Sequence, residues 1–176
     1  MKNFYQKIYE NEKGVFTTNT IFCEKTDMPF GFKAFKENME TTVRYYKEDK
    51  HNIKFEVGKK IEVLPCVLAP ERAGSGFHFC AELFEVLQHR PLKGVLIHKN
   101  KLVKFRYFYC QTGDVCVKNK TTLPLWKSTS IVTNAITPLF EIKFDNFNGD
   151  ISNPDEINRF AEEQVHKYWE TINNNI

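Results

Sequence analysis

"GSGFHFCAELFEVLQHRP" (residues 74–91) changes its hydrophobic period partway through. Gly74 and Gly76 permit a turn into an extended segment. There Phe77 and Phe79 share one side and His78 and Cys80 the other, the period of two expected of a strand. Leu83, Phe84 and Leu87 then fall at helical spacing, and Pro91 ends the segment. A strand that runs straight into a short helix, within a chain otherwise patterned for strands, places the fold in the α+β class.

Working outward, the flanks supply the strands. Residues 3–23 alternate as two short strands around 10–14, and "PFGFKAF" (29–35) is a strand opened by Pro29 and Gly31. Residues 45–52 are a charged loop. "IKFEVGKKIEV" (53–63) is two short strands around a turn at Gly58, with Phe55 and Val57 on one face and Ile61 and Val63 on one face. "GVLIHKNKLVKFRYFYC" (94–110) is a hairpin turning near Lys99 and Asn100. "QTGD" (111–114) turns into "VCVKNK", and "TPLFEIKFD" (137–145) is a further strand. The last element is a long C-terminal helix over about 153–172. Asn153 caps it, Pro154 takes the first helical position, and Asp155 and Glu156 complement the dipole. Ile157, Phe160, Ala161, Gln164, Val165, Tyr168 and Ile172 trace the stripe that docks on the sheet. The expected architecture is one domain over 1–176: strand-rich antiparallel sheet, a short helix after G-F-H-F-C, and the C-terminal helix.

Composition agrees with a β-rich core and narrows the function classes. Sixteen Phe and seven Tyr in 176 residues suit pleated, half-buried surfaces. A formal charge of +3 is too mild for a dedicated polyanion binder. Five cysteines with no secretory leader in residues 1–13 read as reduced thiols in the cytoplasm. No apolar run is long enough to span a bilayer, so no membrane association is expected.

Several groups carry potential chemistry. Cys66, His78, Cys80, Cys110 and Cys116 lack the close-spaced pairs of a structural zinc site, and no metal is expected. A two-residue turn at Thr112 and Gly113 pairs Cys110 with Val115 and puts Cys110 and Cys116 on opposite faces. In that register Phe108, Cys110, Val115 and Val117 form the apolar face. Phe105, Tyr107, Tyr109, Cys116, Lys118 and Lys120 form the other, where aromatics beside lysines suit bases and phosphates. His78 and Cys80 are neighbours on one face, but neither an orienting group nor an oxyanion site accompanies them. "ERAGSG" (71–76) lacks the G-K-[ST] ending of a phosphate loop. Glu82 and Glu85 lie three apart on the outer side of the short helix, a solvated face.

Three segments occur in a recognisable order: "GFKAF" (31–35), "FEVGKKIEV" (55–63) and "GFHFCAELFEVL" (76–87). In that order they resemble a small uncharacterised domain of bacteriophages, bacteria and large DNA viruses. That domain carries a G-[YF]-K-A-F strand, an E-V-G-K turn and a G-F-H-x-C motif before a short helix. The resemblance covers about 31–131, with "VKNKTTLPLWKSTSI" (117–131) matching loosely. It implies an accessory protein of viral, phage or mobile-element type, and no particular activity. A more distant similarity in element order is to the ADP-ribosyltransferase fold. Lys33 stands on the early strand, Phe77 to Phe79 form the strand before a short helix, and Glu141 lies on a late strand. That similarity implies an NAD pocket in which a carboxylate stabilises an oxocarbenium-like transition state.

The leading expectation is therefore a cytoplasmic binding protein, with no cofactor, directed at a host or bacterial protein or a nucleotide-like ligand. Phe77, His78, Tyr107, Tyr109 and Lys118 are its candidate ligand-binding residues. The alternative is an NAD-handling enzyme with Lys33, His78 and Glu141 as catalytic residues. The third is nucleic-acid binding on the Tyr107, Tyr109 and Lys118 face.

Overall fold

The strand-to-helix transition at 77–89 is where the two layers of the fold meet. The computed structural model describes residues 7–10, 15–19, 23–44, 50–62, 66–68, 76–97, 100–119 and 131–175. In chain order the strands before the first helix are β1 (Lys7–Glu10), β2 (Val15–Asn19), β3 (Cys23–Thr26), β4 (Phe30–Lys36), β5 (Glu40–Arg44), β6 (Lys50–Lys54), β7 (Ile61–Glu62), β8 (Cys66–Leu68) and β9 (Phe77–Phe79). Helix α1 (Leu83–His89) precedes β10 (Val95–Ile97), β11 (Lys101–Val103), β12 (Phe105–Thr112), β13 (Cys116–Asn119), β14 (Ile131–Thr133), β15 (Ala135–Ile142) and helix α2 (Pro154–Asn174). The class is α+β, with antiparallel strands, a short helix and a long C-terminal one.

Two four-stranded sheets carry the core, in the orders β4-β12-β15-β7 and β3-β13-β14-β9. They are one ribbon folded at a corner. β3 runs into β4 through 27–29, β12 into β13 through 113–115, and β14 into β15 through Asn134. Side chains replace ladder bonds at the bend. The Gly113 amide donates to Thr133 Oγ1 (2.9 Å), the Val115 amide to Asn134 Oδ1 (3.2 Å), and Asn134 Nδ2 to Asp114 Oδ1 (3.1 Å). Thr133 and Asn134 are fully buried, which is tolerable only because these bonds satisfy them. The hydrogen-bonded circuit then closes. Just past β9, Cys80 and Phe32 exchange both backbone bonds (2.8 and 2.9 Å), joining β9 to β4 at the far edge of the other sheet. Gly31 makes this approach possible, because a Cβ there would collide with the Phe79 ring and lie 2.9 Å from the Cys80 carbonyl.

Hydrophobic burial is split between the two sides of β4 and β12. One side contributes Phe35, Phe108 and Cys110 to a core completed by Phe55, Phe77 and Ile136. The opposite side presents Phe32, Tyr107 and Tyr109 to α1 and α2, where Leu83, Val86, Leu87, Ile157 and Ala161 pack on them. Asn153 caps α2 as expected, accepting from the Asp155 and Glu156 amides. Ile172, expected on the docking stripe, is instead exposed, and Trp169 packs in its stead. Glu82 gives α1 no side-chain cap; Asn158 of α2 accepts from the Phe84 amide (3.1 Å) and donates to Glu82 (3.0 Å).

Four sequence expectations are corrected. β12 and β13 do not pair as a hairpin about Gly113: they are one bent strand with partners elsewhere. Gly113 has no positive φ, and its role is space, because a Cβ there would collide with the Asn134 carboxamide. The expected strands either side of Gly58 do not pair either. β6 pairs with β5 and β7 with β15, and the Gly58 amide docks on the Pro138 carbonyl. Phe55 lies beyond the end of β6 and is buried while Val57 is exposed, so they share no face. The charged loop is shorter than 45–52, since β6 begins at Lys50; residues 45–49 and Val63 lie outside the described residues.

Candidate functional site

Lys33 lies on the core side of β4, directly across from Phe108. The residue as a whole is half-buried, but its ammonium is enclosed and donates to the His78 backbone carbonyl at 2.5 Å. Burial, followed by the nearby Arg90 charge among the lowering influences, takes its pKa from the ordinary 10.5 down to about 8, while Cys110 and Cys80 oppose the shift. Cys110, buried on the same face, is pushed the other way to about 12. A thiol so raised is a poor nucleophile at neutral pH. Cys80 and Cys116 are buried free thiols as well, and burial raises Cys116. The side chains of Cys23 and Cys66 lie outside the described residues.

His78 pairs with Val132 across β9 and β14, on the opposite side of β9 from Phe77 and Phe79. Lys33 therefore meets the backbone of His78. Phe77 is fully buried in the core with Phe55. Glu141 stands across β12 from Lys33, with Phe108 between them in the ladder. Arg106 grips its carboxylate through two bonds, of 3.0 and 2.8 Å, and holds its pKa below the usual carboxylate range. The structure thus brings Lys33 and Glu141 into one row of the sheet, each with its polar group already engaged.

Among the described residues, the tyrosines and Lys118 of the expected aromatic and lysine face lie apart; Lys120 lies outside the described residues. Tyr107 and Tyr109 are buried beneath the helices, whereas Lys118 is on β13 across from Glu24, 3.5 Å from its carboxylate. Tyr107 donates to the Arg90 carbonyl (2.6 Å), and burial pushes its hydroxyl up to about 12. Trp169 Nε1 donates to the Tyr109 hydroxyl (3.4 Å), and Phe30 stacks on the Tyr109 ring. Phe30 and Tyr109 pack on Trp169 and so hold α2 to the sheet.

Sequence reasoning placed the β10–β11 hairpin correctly but missed its exposure. Among the described residues the ribbon hydrogen-bonds to no other strand. Leu96 and Leu102 face each other across it and remain 67% and 49% exposed; Val95 and Ile97 are exposed on the reverse side. Asn100 (φ 58°) and Gly94 (φ 82°) shape its two ends. No acidic residue occurs from Val86 to Gly113, while Arg90, Lys93, Lys99, Lys101, Lys104 and Arg106 do. Only the acid-free run was visible in the sequence. An alternating hairpin pattern does not reveal whether anything covers it.

Among the described residues no helix is long and apolar enough to cross a membrane, and no three His, Cys, Asp or Glu side chains converge as a metal set. The chain matches no protein-family model, no curated protein and no solved structure.

Proposed function

We propose that this protein acts by binding, and that the β10–β11 hairpin is the element it presents to an acidic surface of a partner protein. An accessory role in a virus, phage or mobile element is the setting implied by the G-F-H-x-C resemblance. The observation that carries the reading is the exposed Leu96–Leu102 pair on a ribbon without acidic residues. Aliphatic side chains at this exposure cost solvation free energy until covered, about 25 cal/mol per Å2. Surrounding lysines steer an acidic partner and disfavour basic ones. Among the described residues no further strand pairs with the ribbon's outer edges, which leaves them open to an added strand.

Selection of displayed random peptides against the whole chain tests this. Wild type is expected to enrich peptides that combine aliphatic with Asp or Glu residues. Leu96→Ser with Leu102→Ser, and separately Lys93→Glu with Lys104→Glu, should each reduce recovery at least tenfold without changing the circular dichroism. Equal enrichment by both variants, or enrichment of peptides without acidic residues, would refute the reading. Hairpin-dependent binding to anionic lipid vesicles in place of peptides would refute it too.

A further inference from the structure

The turn after β4 and the end of α1 bring charges of both signs to one hollow. Ala34, Lys36, Glu40, Thr41, Arg90 and Phe105 line a cavity of about 140 Å3. An apolar cavity of about 150 Å3 holds a benzene ring; this one has a charged wall. Lys36 stands across from Phe105 in the β4–β12 ladder, and the Arg90 guanidinium lies 5.6 Å from the centre of the Phe105 ring. Met39, at φ 64° and bonded through its amide to the Lys36 carbonyl (2.8 Å), turns the chain so that Glu40 and Thr41 return beside Lys36. Among the described residues, neither Lys36 nor Glu40 has an ion-pair partner, although both are half-buried in the same hollow. Among the described residues, the Arg90 side chain donates to the adjacent His89 carbonyl (2.9 Å) and meets no carboxylate.

We propose that this cavity binds a ligand bearing an α-carboxylate next to an N–H group, with an apolar side chain: a free α-amino acid or the C-terminal residue of a peptide. Lys36 and Arg90 receive the carboxylate, a planar anion that a guanidinium matches in two places. The Glu40 carboxylate and the Thr41 hydroxyl accept the N–H, and the Phe105 ring with Ala34 forms the apolar floor. Charge balance refines the choice. Two cations and one carboxylate leave the lining at +1, which a C-terminal residue neutralises and a zwitterionic amino acid does not. A phosphate dianion would instead bring a second negative charge beside the Glu40 carboxylate and leave the site at −1. The inference is independent of the hairpin reading, since Leu96 and Leu102 take no part in it.

Amide chemical-shift titration of the whole chain tests it with four probes: N-acetylphenylalanine, phenylalanine, phenylalaninamide and inorganic phosphate. N-acetylphenylalanine is expected to give saturable shifts at residues 34–41, 90 and 105. Affinity should fall at least tenfold in Lys36→Gln and Arg90→Gln, and severalfold in Thr41→Val, all three with native spectral dispersion. Tighter binding of N-acetylphenylalanine than of phenylalanine identifies a chain terminus, and the reverse order a free amino acid. The proposal is overturned if no probe gives saturable shifts at millimolar concentration. Phenylalaninamide or phosphate binding as tightly as the acids, or unchanged affinity in both charge variants, overturns it as well.

Discussion

Replacing Lys33 by Met should stabilise the protein at pH 7, and by less at pH 9. The folded chain holds this amine at a pKa of about 8 against an ordinary 10.5, chiefly because the charge is buried. The unfolded chain therefore binds the proton more tightly, and stability rises with pH between the two values. The depressed folded pKa makes the sign definite: the stabilising, neutral form is fully present above 10.5 and is lost as pH falls through 8. Linkage puts the cost of the protonated amine at about 3 kcal/mol at pH 7 and about 2 kcal/mol at pH 9. Met removes that cost and keeps most of the volume, but forfeits the bond to the His78 carbonyl, a loss of about 1 kcal/mol that does not vary with pH. The net expectation is a variant more stable by about 2 kcal/mol at pH 7, with an advantage about 1.3 kcal/mol smaller at pH 9. Urea unfolding of both proteins under reducing conditions at pH 7, 8 and 9 measures the difference. Cys110, whose raised pKa begins to cost stability above pH 9, is common to both proteins and cancels to first order. A gap that is constant across the three pH values, or that widens, would refute the buried ammonium.

Three further outcomes test the frame around the core. Gly31→Ala should cost about 2 kcal/mol by thermal unfolding, because the added methyl meets the Phe79 ring and the Cys80 carbonyl beside the closing bridge. Asn134→Ala should cost about 2 kcal/mol, because it leaves the Val115 amide without its acceptor, and amide exchange at Val115 should accelerate. Glu141→Gln should cost about 0.5–1 kcal/mol at pH 7 by breaking the Arg106 pair. Arg106 depresses the Glu141 pKa, so the wild-type advantage is present above the ordinary carboxylate pKa of 4.5 and disappears as pH falls through the lower folded value; equal stabilities at pH 7 would exclude the pair's contribution.

Local signals carried much of the fold. The Asn153 cap, the period change after Phe79 and the alternation of 94–103 each act within a few residues, and α2, β9 with α1, and the β10–β11 hairpin lie where those signals put them. The errors came where the deciding partner is remote. "QTGD" satisfies the chemistry of a two-residue turn, but Thr133 and Asn134, about twenty residues downstream, bond the Gly113 and Val115 amides and keep β12 and β13 in one strand. The Gly113 that looked like a turn residue is required by the neighbouring carboxamide. Likewise, α1 takes its cap from Asn158, more than seventy residues away, which no window around Glu82 contains.

The same distinction separates the candidate residues that were read from the sequence from those the structure adds. Lys33, His78 and Glu141 drew attention as titratable groups on patterned strands, yet strand alternation and cross-strand partners decide what each one meets. The Lys33 amine is committed to a backbone carbonyl and the Glu141 carboxylate to a guanidinium. Groups so engaged must break those bonds before they can hold a ligand, at a cost of about 1–3 kcal/mol each. Lys36 and Glu40 carry no such debt among the described residues, and the Leu96–Leu102 pair remains largely exposed to solvent. Binding free energy is the surplus left after existing contacts are broken and polar groups desolvated. On that criterion the unengaged groups lie where the end of β4 and the start of β5 meet Arg90 and Phe105, and on the β10–β11 ribbon between them in sequence, and the titratable residues of the core are better read as their scaffold.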